Sequence, residues 1–212
     1  MSYQLYYYPG NASLLPHMAL REAGATFQLR LVDRTQKAQR SPDYLRLNPN
    51  GFIPVLVDGD QTLFETAAIA LHLVDRHPEA ELAPPVGTPE RAQFYKWMIH
   101  LTNTPQPEFR RWFYPGEHVG DPSAAPTVKE TAGRRLIEMF DVIARQLGDG
   151  PWLLGGRFSA ADLFLLMLIR WGRGLPRPAG TVPELRAHAR RVLARPAVRE
   201  TFAAEGIEEP FV

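Results

Sequence analysis

The first third of the chain alternates between short apolar or aromatic runs and apolar stripes with the period of a helix. The short runs predict strands at residues 4–8, 27–32, 54–57 and 62–64, of which 27–32 also alternates between apolar and polar residues. The helical stripes predict helices at residues 13–23, 41–47 and 66–76. Asp58-Gly59-Asp60 separates the last two strands and is a hairpin signal. The predicted order is therefore β-α-β-α-β-β-α, with an antiparallel hairpin closing one sheet.

Beyond residue 79 the strand pattern stops. Residues 80–88 are rich in Pro, Ala and Gly without periodicity, which is typical of a linker. Helical patterns follow at residues 89–112, 127–147, 159–171, 183–193 and 196–204. Pro105 and Pro107 interrupt the first of these and predict a kink in mid-helix. We therefore predict an α/β domain at residues 1–79, the linker at 80–88 and an all-α domain at 89–212.

Composition excludes several kinds of protein. The formal net charge of +1 argues against a nucleic-acid partner, because phosphate binding needs a basic surplus. The absence of cysteine removes disulfides, thiolate metal sites and any thiol nucleophile carried by the chain. No signal peptide is apparent, and the longest apolar run, 160–169, contains Asp162 and is too short to span a membrane. We expect a cytoplasmic protein with neither a membrane partner nor a bound metal.

The segment Asn48-Pro49-Asn50-Gly51-Phe52-Ile53-Pro54-Val55-Leu56 resembles the N-P-x-G-x-[VI]-P-x-L element of the glutathione transferase superfamily. The resemblance implies a cis bond between Ile53 and Pro54, which would expose the backbone of Ile53 to the cysteinyl part of glutathione. It also makes Asn50 a candidate contact to the glutathione backbone. The alternative is a tight turn before an edge strand.

A second segment, Phe64-Glu65-Thr66-Ala67-Ala68-Ile69, resembles the family's [E/Q]-S-x-A-I element, with Thr in place of the usual Ser. It lies where a strand passes into a helix, and a helix N-terminus offers free N–H groups to a carboxylate. The resemblance implies that Thr66 binds the γ-glutamyl carboxylate and that Glu65 pairs with the γ-glutamyl ammonium. The alternative is a capping Thr beside a surface Glu.

A third segment, Ser159-Ala160-Ala161-Asp162, looks like the family's S/T-x-x-D capping box and is structural. On these three segments, in this order and spacing, the chain is identified as a member of the superfamily. The resemblance implies a thioredoxin-like α/β N-terminal domain, an all-α C-terminal helical domain, glutathione as co-substrate and a homodimer.

Glutathione must be stabilised as its thiolate, since the thiolate is the nucleophile. Lowering a thiol pKa by about two units requires roughly 2.7 kcal/mol in favour of the anion, and one hydrogen bond to a charged group contributes about 1.5–3 kcal/mol. One donor near the start of the first helix is therefore enough. Asn11 ranks first, Ser13 second and Tyr7 third. A bacterial branch of the family carries a Cys here, where this chain has Ala12.

The remaining contacts to both substrates are less closely specified. Relatives often hold the glycyl carboxylate between the second strand and the second helix, where this chain has Arg34, Lys37 and Arg40. His17 is a candidate for lining the site, although a lone histidine on a helix is more often structural. Beside the first long helix of the all-α domain, the predicted substrate pocket consists of two polar and two aromatic side chains, Asn103, Gln106, Trp112 and Phe113. The alternative is a structural bend with core aromatics.

Three functions fit the resemblance. The first is conjugation of the glutathione thiolate to small apolar electrophiles. The second is glutathione-dependent reduction of disulfides or peroxides, with glutathione supplying all the sulfur. The third is a non-enzymatic interaction module on the same fold, which would be expected to carry a degraded glutathione site.

Overall fold

The computed structural model describes residues 2–212, and its packing divides the chain into two units. The first contains the described residues through Val86 together with Leu193–Glu209, and the second contains Gly87–Val192 with Pro210–Val212. The change of unit at Val86 lies within the predicted linker. The packing differs from the predicted limits in that residues 193–209 join the first unit.

A four-stranded mixed sheet forms the centre of the first unit, with the strand order β2-β1-β3-β4. Its strands are β1 (Tyr3–Tyr7), β2 (Phe27–Leu31), β3 (Val55–Asp58) and β4 (Gln61–Phe64). β1 runs parallel to β2 and antiparallel to β3, and β3 and β4 form the predicted hairpin. All four strands lie within one residue of their predicted limits, because each has a clear apolar run and a turn signal at its end.

Four helices complete the first unit: α1 (Leu14–Glu22), α2 (Pro42–Leu47), α3 (Thr66–Arg76) and α9 (Pro196–Ala204). Neighbouring side chains of a strand point to opposite faces of the sheet. Tyr6 accordingly packs with Tyr44 of α2, in a cluster around Val32 and Val55. Leu5, on the other face, is fully buried, and α1 and α3 pack against each other.

Helix α9 packs against α1, and charged pairs fix the contact. Both Nε and Nη2 of Arg195 donate to the Glu22 carboxylate, at 2.6 and 2.7 Å. Two parallel bonds of this kind set the orientation of the groups as well as holding them together. The C-terminal helix is thereby brought to the helix that follows the first strand.

The second unit is helical, with α4 (Pro89–Asn103), α5 (Pro105–Phe113), α6 (Ala125–Leu147), α7 (Ala160–Trp171) and α8 (Pro183–Leu193). Residues 160–169 of α7 are all buried. None of the helices in the described part of the chain has the length and apolarity needed to cross a membrane. The predicted thioredoxin-like α/β fold with a following all-α part is confirmed.

The prediction of one kinked helix over residues 89–112 is wrong. The chain forms two helices that meet at Thr104, and Pro105 is the first residue of the second. A proline is tolerated at that position because its missing N–H would have no partner inside the helix. The prolines therefore begin α5 instead of bending α4.

The predicted capping box between Ser159 and Asp162 is present. The buried Asp162 carboxylate accepts from the Ser159 N–H at 2.9 Å and from the Leu153 N–H at 2.8 Å. It also bonds His188 Nε2 of α8 at 3.0 Å. The box thus joins the start of α7 to the preceding loop and to α8, which the sequence motif alone does not indicate.

The loop between α2 and β3 is organised by Asn48. Its side chain accepts from the Asn50 N–H at 3.1 Å and donates to the Phe52 carbonyl at 2.8 Å. Gly51 has a φ of +63°, and a Cβ placed there would lie 2.7 Å from Arg40 Nη1 and 2.9 Å from the Gln39 carbonyl oxygen. Only glycine meets both conditions without displacing its neighbours.

Gly51→Ala should lower the free energy of unfolding by about 2–4 kcal/mol, because the left-handed backbone penalty adds to the steric overlap. Gly59→Ala is the matched control, since Gly59 has a φ of +58° and no atom within 4 Å of an added Cβ. Its loss should be about 1–2 kcal/mol. Urea unfolding of both variants measures the difference, and equal losses would contradict the steric argument.

Candidate active site

The loop from Tyr8 to Ser13 joins β1 to α1 and closes on itself. Ser13 is buried, and its hydroxyl accepts from the Tyr8 N–H at 3.3 Å and donates to the Tyr8 carbonyl at 3.2 Å. The Asn11 N–H also donates to the Tyr8 carbonyl, at 3.1 Å. Gly10 bends the chain between them with a φ of +68°. The loop presents the half-buried side chain of Asn11, whereas the Ser13 hydroxyl is engaged by the loop's own backbone.

A carboxylate from the end of α9 holds this loop. Glu205 Oε2 accepts from the Gly10 N–H at 2.8 Å, and Oε1 accepts from His17 Nδ1 at 2.8 Å. The side chains of His17 and Glu205 are both 0% exposed. Arg21 Nε donates to His17 Nε2 at 3.3 Å, which assigns the imidazole proton to Nδ1. His17 therefore anchors the loop through Glu205, which is the structural role that a single helical histidine more often has.

Glu205 is not among the residues that the sequence motifs predict for the site. It lies 188 residues from His17, and its only local signal is an acidic residue at the end of a predicted helix. A buried carboxylate is stable only where hydrogen-bond donors replace water, and here one of the two donors is a backbone amide of the loop.

Tyr7, the last residue of β1, is half-buried, and its ring contacts His17 with the centroids 6.3 Å apart. The pKa of its hydroxyl is raised above the ordinary value, first by burial and then by the negative charge of Glu205. A raised pKa is expected for an acid whose anion is both removed from water and repelled by a neighbouring negative charge. The hydroxyl of Tyr7 consequently keeps its proton throughout the neutral pH range.

Asn11 has a charged neighbour. Arg34 Nη1 donates to Asn11 Oδ1 at 3.0 Å. The same guanidinium lies over the Tyr8 ring, 5.8 Å from its centroid. The sequence makes Arg34 a candidate partner for the glycyl carboxylate, and in the structure its guanidinium donates to Asn11, the side chain that ranks first as thiol donor.

Two further elements bring free polar groups to this unit. The Ile53–Pro54 bond is cis, as the resemblance implies. Within residues 2–212 no hydrogen bond engages the N–H or the carbonyl of Ile53. The exposed carboxylate of Glu65 likewise has no partner among the described residues. Both groups are available to a ligand.

Glu65 has an unusual backbone, with φ +74° and ψ 116°, directly before α3. A positive φ in a residue with a side chain costs of order 1–3 kcal/mol and persists only where the surroundings enforce it. Thr66, the buried first residue of α3, follows it. An unpaired carboxylate therefore lies next to a helix N-terminus, whose N–H groups favour an anion.

The three basic candidates between β2 and α2 have different surroundings. Arg34 is bound to Asn11, and Arg40 donates to the Asn50 carbonyl at 3.1 Å while lying over the Phe52 ring. The exposed ammonium of Lys37 makes no hydrogen bond or ion pair with another side chain in the described part of the chain. Asn50 is itself exposed, and its backbone is tied to Asn48 and Arg40.

The four residues predicted to line a substrate pocket in the helical unit have different surroundings. Asn103 is exposed at the end of α4, and Gln106 Oε1 accepts from the Thr102 hydroxyl at 3.0 Å. Trp112 packs on α6, where its ring lies against Gly133 with Lys129 Nζ 4.9 Å from the centroid. Phe113 is 45% exposed and contacts Trp171 of α7. The two adjacent aromatic rings thus contact different helices, and their place in a substrate pocket stays a prediction.

The fold and this set of groups define a class of protein: a thioredoxin-like domain with a cis-proline loop, joined to a helical part. Residues 1–75 match the family model "Glutathione S-transferase, N-terminal domain", and residues 125–195 match "Glutathione S-transferase, C-terminal domain". Glutathione S-transferase GstA of Escherichia coli O157:H7 is 30% identical over 97% of this chain and 100% of that protein. The chain belongs to the glutathione S-transferase family.

Solved structures agree. The crystal structure of a glutathione transferase homologue from Sulfitobacter with bound glutathione has a TM-score of 0.90 and 26% identity, covering 98% of this chain and 99% of that one. A sphingomonad glutathione S-transferase complexed with glutathione has a TM-score of 0.85 and 30% identity, covering 97% of this chain and 100% of that one. Among residues 2–212, no cluster of three or more His, Asp or Glu side chains is arranged to hold a metal ion.

Glu205→Gln should lower the free energy of unfolding by about 1–3 kcal/mol, because one end of an amide cannot accept a hydrogen bond, so one of the two bonds that Glu205 accepts from Gly10 and His17 is lost. Glu208→Gln is the control, since Glu208 is exposed. Urea unfolding at pH 7 compares the two variants. If both match the unsubstituted chain, Glu205 does not anchor the loop.

Proposed function

We propose that this chain binds glutathione and transfers its thiolate to small apolar electrophiles. The observation that carries the proposal is the unpaired Glu65 carboxylate beside the N-terminus of α3. An ammonium and a carboxylate attached to one carbon, as in a γ-glutamyl group, match that pair of charges. The two similar structures that contain glutathione support the same ligand.

Each part of the tripeptide has a partner in the proposal. Glu65 pairs with the γ-glutamyl ammonium, and the hydroxyl and N–H of Thr66 bind the γ-glutamyl carboxylate. The backbone of Ile53, before Pro54, pairs with the cysteinyl residue as an added strand would. Asn50 supplies a further polar contact. Lys37 is our candidate for the glycyl carboxylate, because its ammonium is exposed and has no side-chain partner in the described chain.

Asn11 is the proposed donor to the thiolate. Its Oδ1 is engaged by Arg34, so the remaining polar end of its side chain is the Nδ2 amide, which can only donate. Ser13 is a weaker candidate because its hydroxyl already donates to the Tyr8 carbonyl. Tyr7 stays protonated and can donate, but the Glu205 charge that raises its pKa also disfavours an anion beside it.

The second substrate and the assembly belong to the proposal as well. Asn103, Gln106, Trp112 and Phe113 are proposed to contact the electrophile. A homodimer and a cytoplasmic location follow from the family resemblance and stay predictions. No bound metal is required, because a single hydrogen bond to the thiolate supplies an energy of the needed size, about 1.5–3 kcal/mol.

Retention on immobilised glutathione, followed by two assays, tests the proposed function. We expect the chain to be retained and to conjugate 1-chloro-2,4-dinitrobenzene faster than it reduces a small disulfide. Glu65→Gln should elute earlier, because the amide carries no charge to pair with the ammonium. Reduction without conjugation would favour the reductase instead. A chain that is neither retained nor active would be an interaction module.

Asn11→Ala should lower kcat/KM for conjugation about 10–100-fold near pH 6.5 and raise the midpoint of its pH profile by about one to two units. The reason is that the thiolate loses a hydrogen bond worth about 1.5–3 kcal/mol. Tyr7→Phe is the matched control, since it removes only a hydroxyl. An unchanged midpoint for Asn11→Ala, or a shifted one for Tyr7→Phe, would assign the donor to a different residue.

A further inference from the structure

We propose that Arg34 is a positioning residue, which fixes the end of the Asn11 carboxamide that faces the glutathione thiol; this inference rests on the proposed function. A carboxamide has two chemically opposite ends, an oxygen that accepts and an NH2 that donates. Only the NH2 end stabilises a thiolate, and the oxygen end would repel it. An Asn that rotated freely would present the wrong end part of the time.

The contact with Arg34 removes that ambiguity. A guanidinium has five N–H donors and no acceptor, so only the Asn11 oxygen can lie against it. Arg34 Nη1 and Asn11 Oδ1 are 3.0 Å apart. This hydrogen bond therefore sets Oδ1 toward Arg34 and leaves Nδ2 as the polar group on the other side of the amide.

The turn that carries Arg34 is itself fixed. It follows β2 directly, where the Val32 N–H continues the ladder by donating to the Tyr7 carbonyl at 2.9 Å. Asp33 Oδ1 accepts from the N–H and the hydroxyl of Thr35, at 2.8 and 2.6 Å. These bonds lower the pKa of the Asp33 carboxyl and keep it engaged with Thr35. The guanidinium also lies over the Tyr8 ring, in the loop that it faces.

The competing role for Arg34 is direct binding of the glycyl carboxylate. The two roles predict opposite behaviour toward a glutathione whose sulfur cannot ionise. A carboxylate partner contributes to the binding of S-methylglutathione and leaves the thiol pKa of bound glutathione unchanged. A residue that orients Asn11 affects the thiol pKa and changes the binding of S-methylglutathione little.

The test uses Arg34→Met, which keeps an unbranched apolar stem in place of the first part of the arginine side chain and removes every donor. The ultraviolet absorbance of the thiolate gives the pKa of bound glutathione, and titration calorimetry gives the Kd for S-methylglutathione. We expect the thiol pKa to rise by about one unit, equivalent to a tenfold loss of thiolate at acidic pH, with the Kd changed less than about threefold. Arg34→Lys should recover part of the shift because it keeps a charged donor.

A double variant separates action through Asn11 from a simple charge effect. In an Asn11→Ala background, Arg34→Met should cause no further rise in the thiol pKa, because coupled residues are not additive. Arg30→Met is the control, since Arg30 lies exposed on β2 and bonds Gln4 and Gln28. It should change neither the thiol pKa nor the Kd.

Three results would overturn the inference. One is an unchanged thiol pKa with S-methylglutathione bound at least about tenfold more weakly, which would assign Arg34 to the carboxylate. Another is an equal pKa rise with and without Asn11, which would reduce Arg34 to a nearby charge. If the unsubstituted chain fails to bind S-methylglutathione, the proposed function fails and this inference fails with it, an outcome distinct from the other two.

Discussion

The Glu205 carboxylate is removed from water, so its charge must be balanced by the hydrogen bonds that it accepts. One of its two donors is the Gly10 amide, and the other is His17 of α1. The loop between β1 and α1 therefore cannot move away without removing one of these two hydrogen bonds from a buried carboxylate. The arrangement of the candidate site depends on this constraint, because the loop that it holds carries Asn11.

The unit that contains the sheet places negative and positive groups at separate positions, as a zwitterionic ligand requires. Glu65 offers a negative group beside the positive end of α3. At the β1–α1 loop, Glu205 lies on the buried side at Gly10, and Arg34 lies at Asn11. A thiolate that accepts from Asn11 Nδ2 would lie near the positive charge of Arg34, because Arg34 donates to the Oδ1 of the same amide. The proposed reaction needs no group of the protein that reacts covalently.

Local patterns predicted the elements of this chain well and their packing poorly. The limits of α3 agree with the prediction because the Phe64-Glu65-Thr66 segment marks its start and an apolar stripe its length. The break at Thr104 was missed because a proline inside an apolar stripe fits a kinked helix and a new helix equally well. The pairing of α9 with α1 joins residues 173 to 188 positions apart, for which one sequence holds no pattern.

The same contrast between local patterns and packing applies to the residues of the candidate site. Ile53, Pro54, Glu65 and Thr66 were predicted because they lie in short segments that resemble the family, and the cis bond is present. The hydrogen bonds of Ser13 with Tyr8 and of Arg34 with Asn11 depend on how a loop closes, which no spacing of residues specifies.

The most direct test of Asn11 as the thiolate donor is a crystal structure of this chain with glutathione bound. We expect the sulfur within hydrogen-bonding distance of Asn11 Nδ2, with Asn11 Oδ1 still accepting from Arg34. A sulfur bound instead by the Tyr7 or Ser13 hydroxyl, with the Asn11 amide turned away, would show that Asn11 is not the thiolate donor.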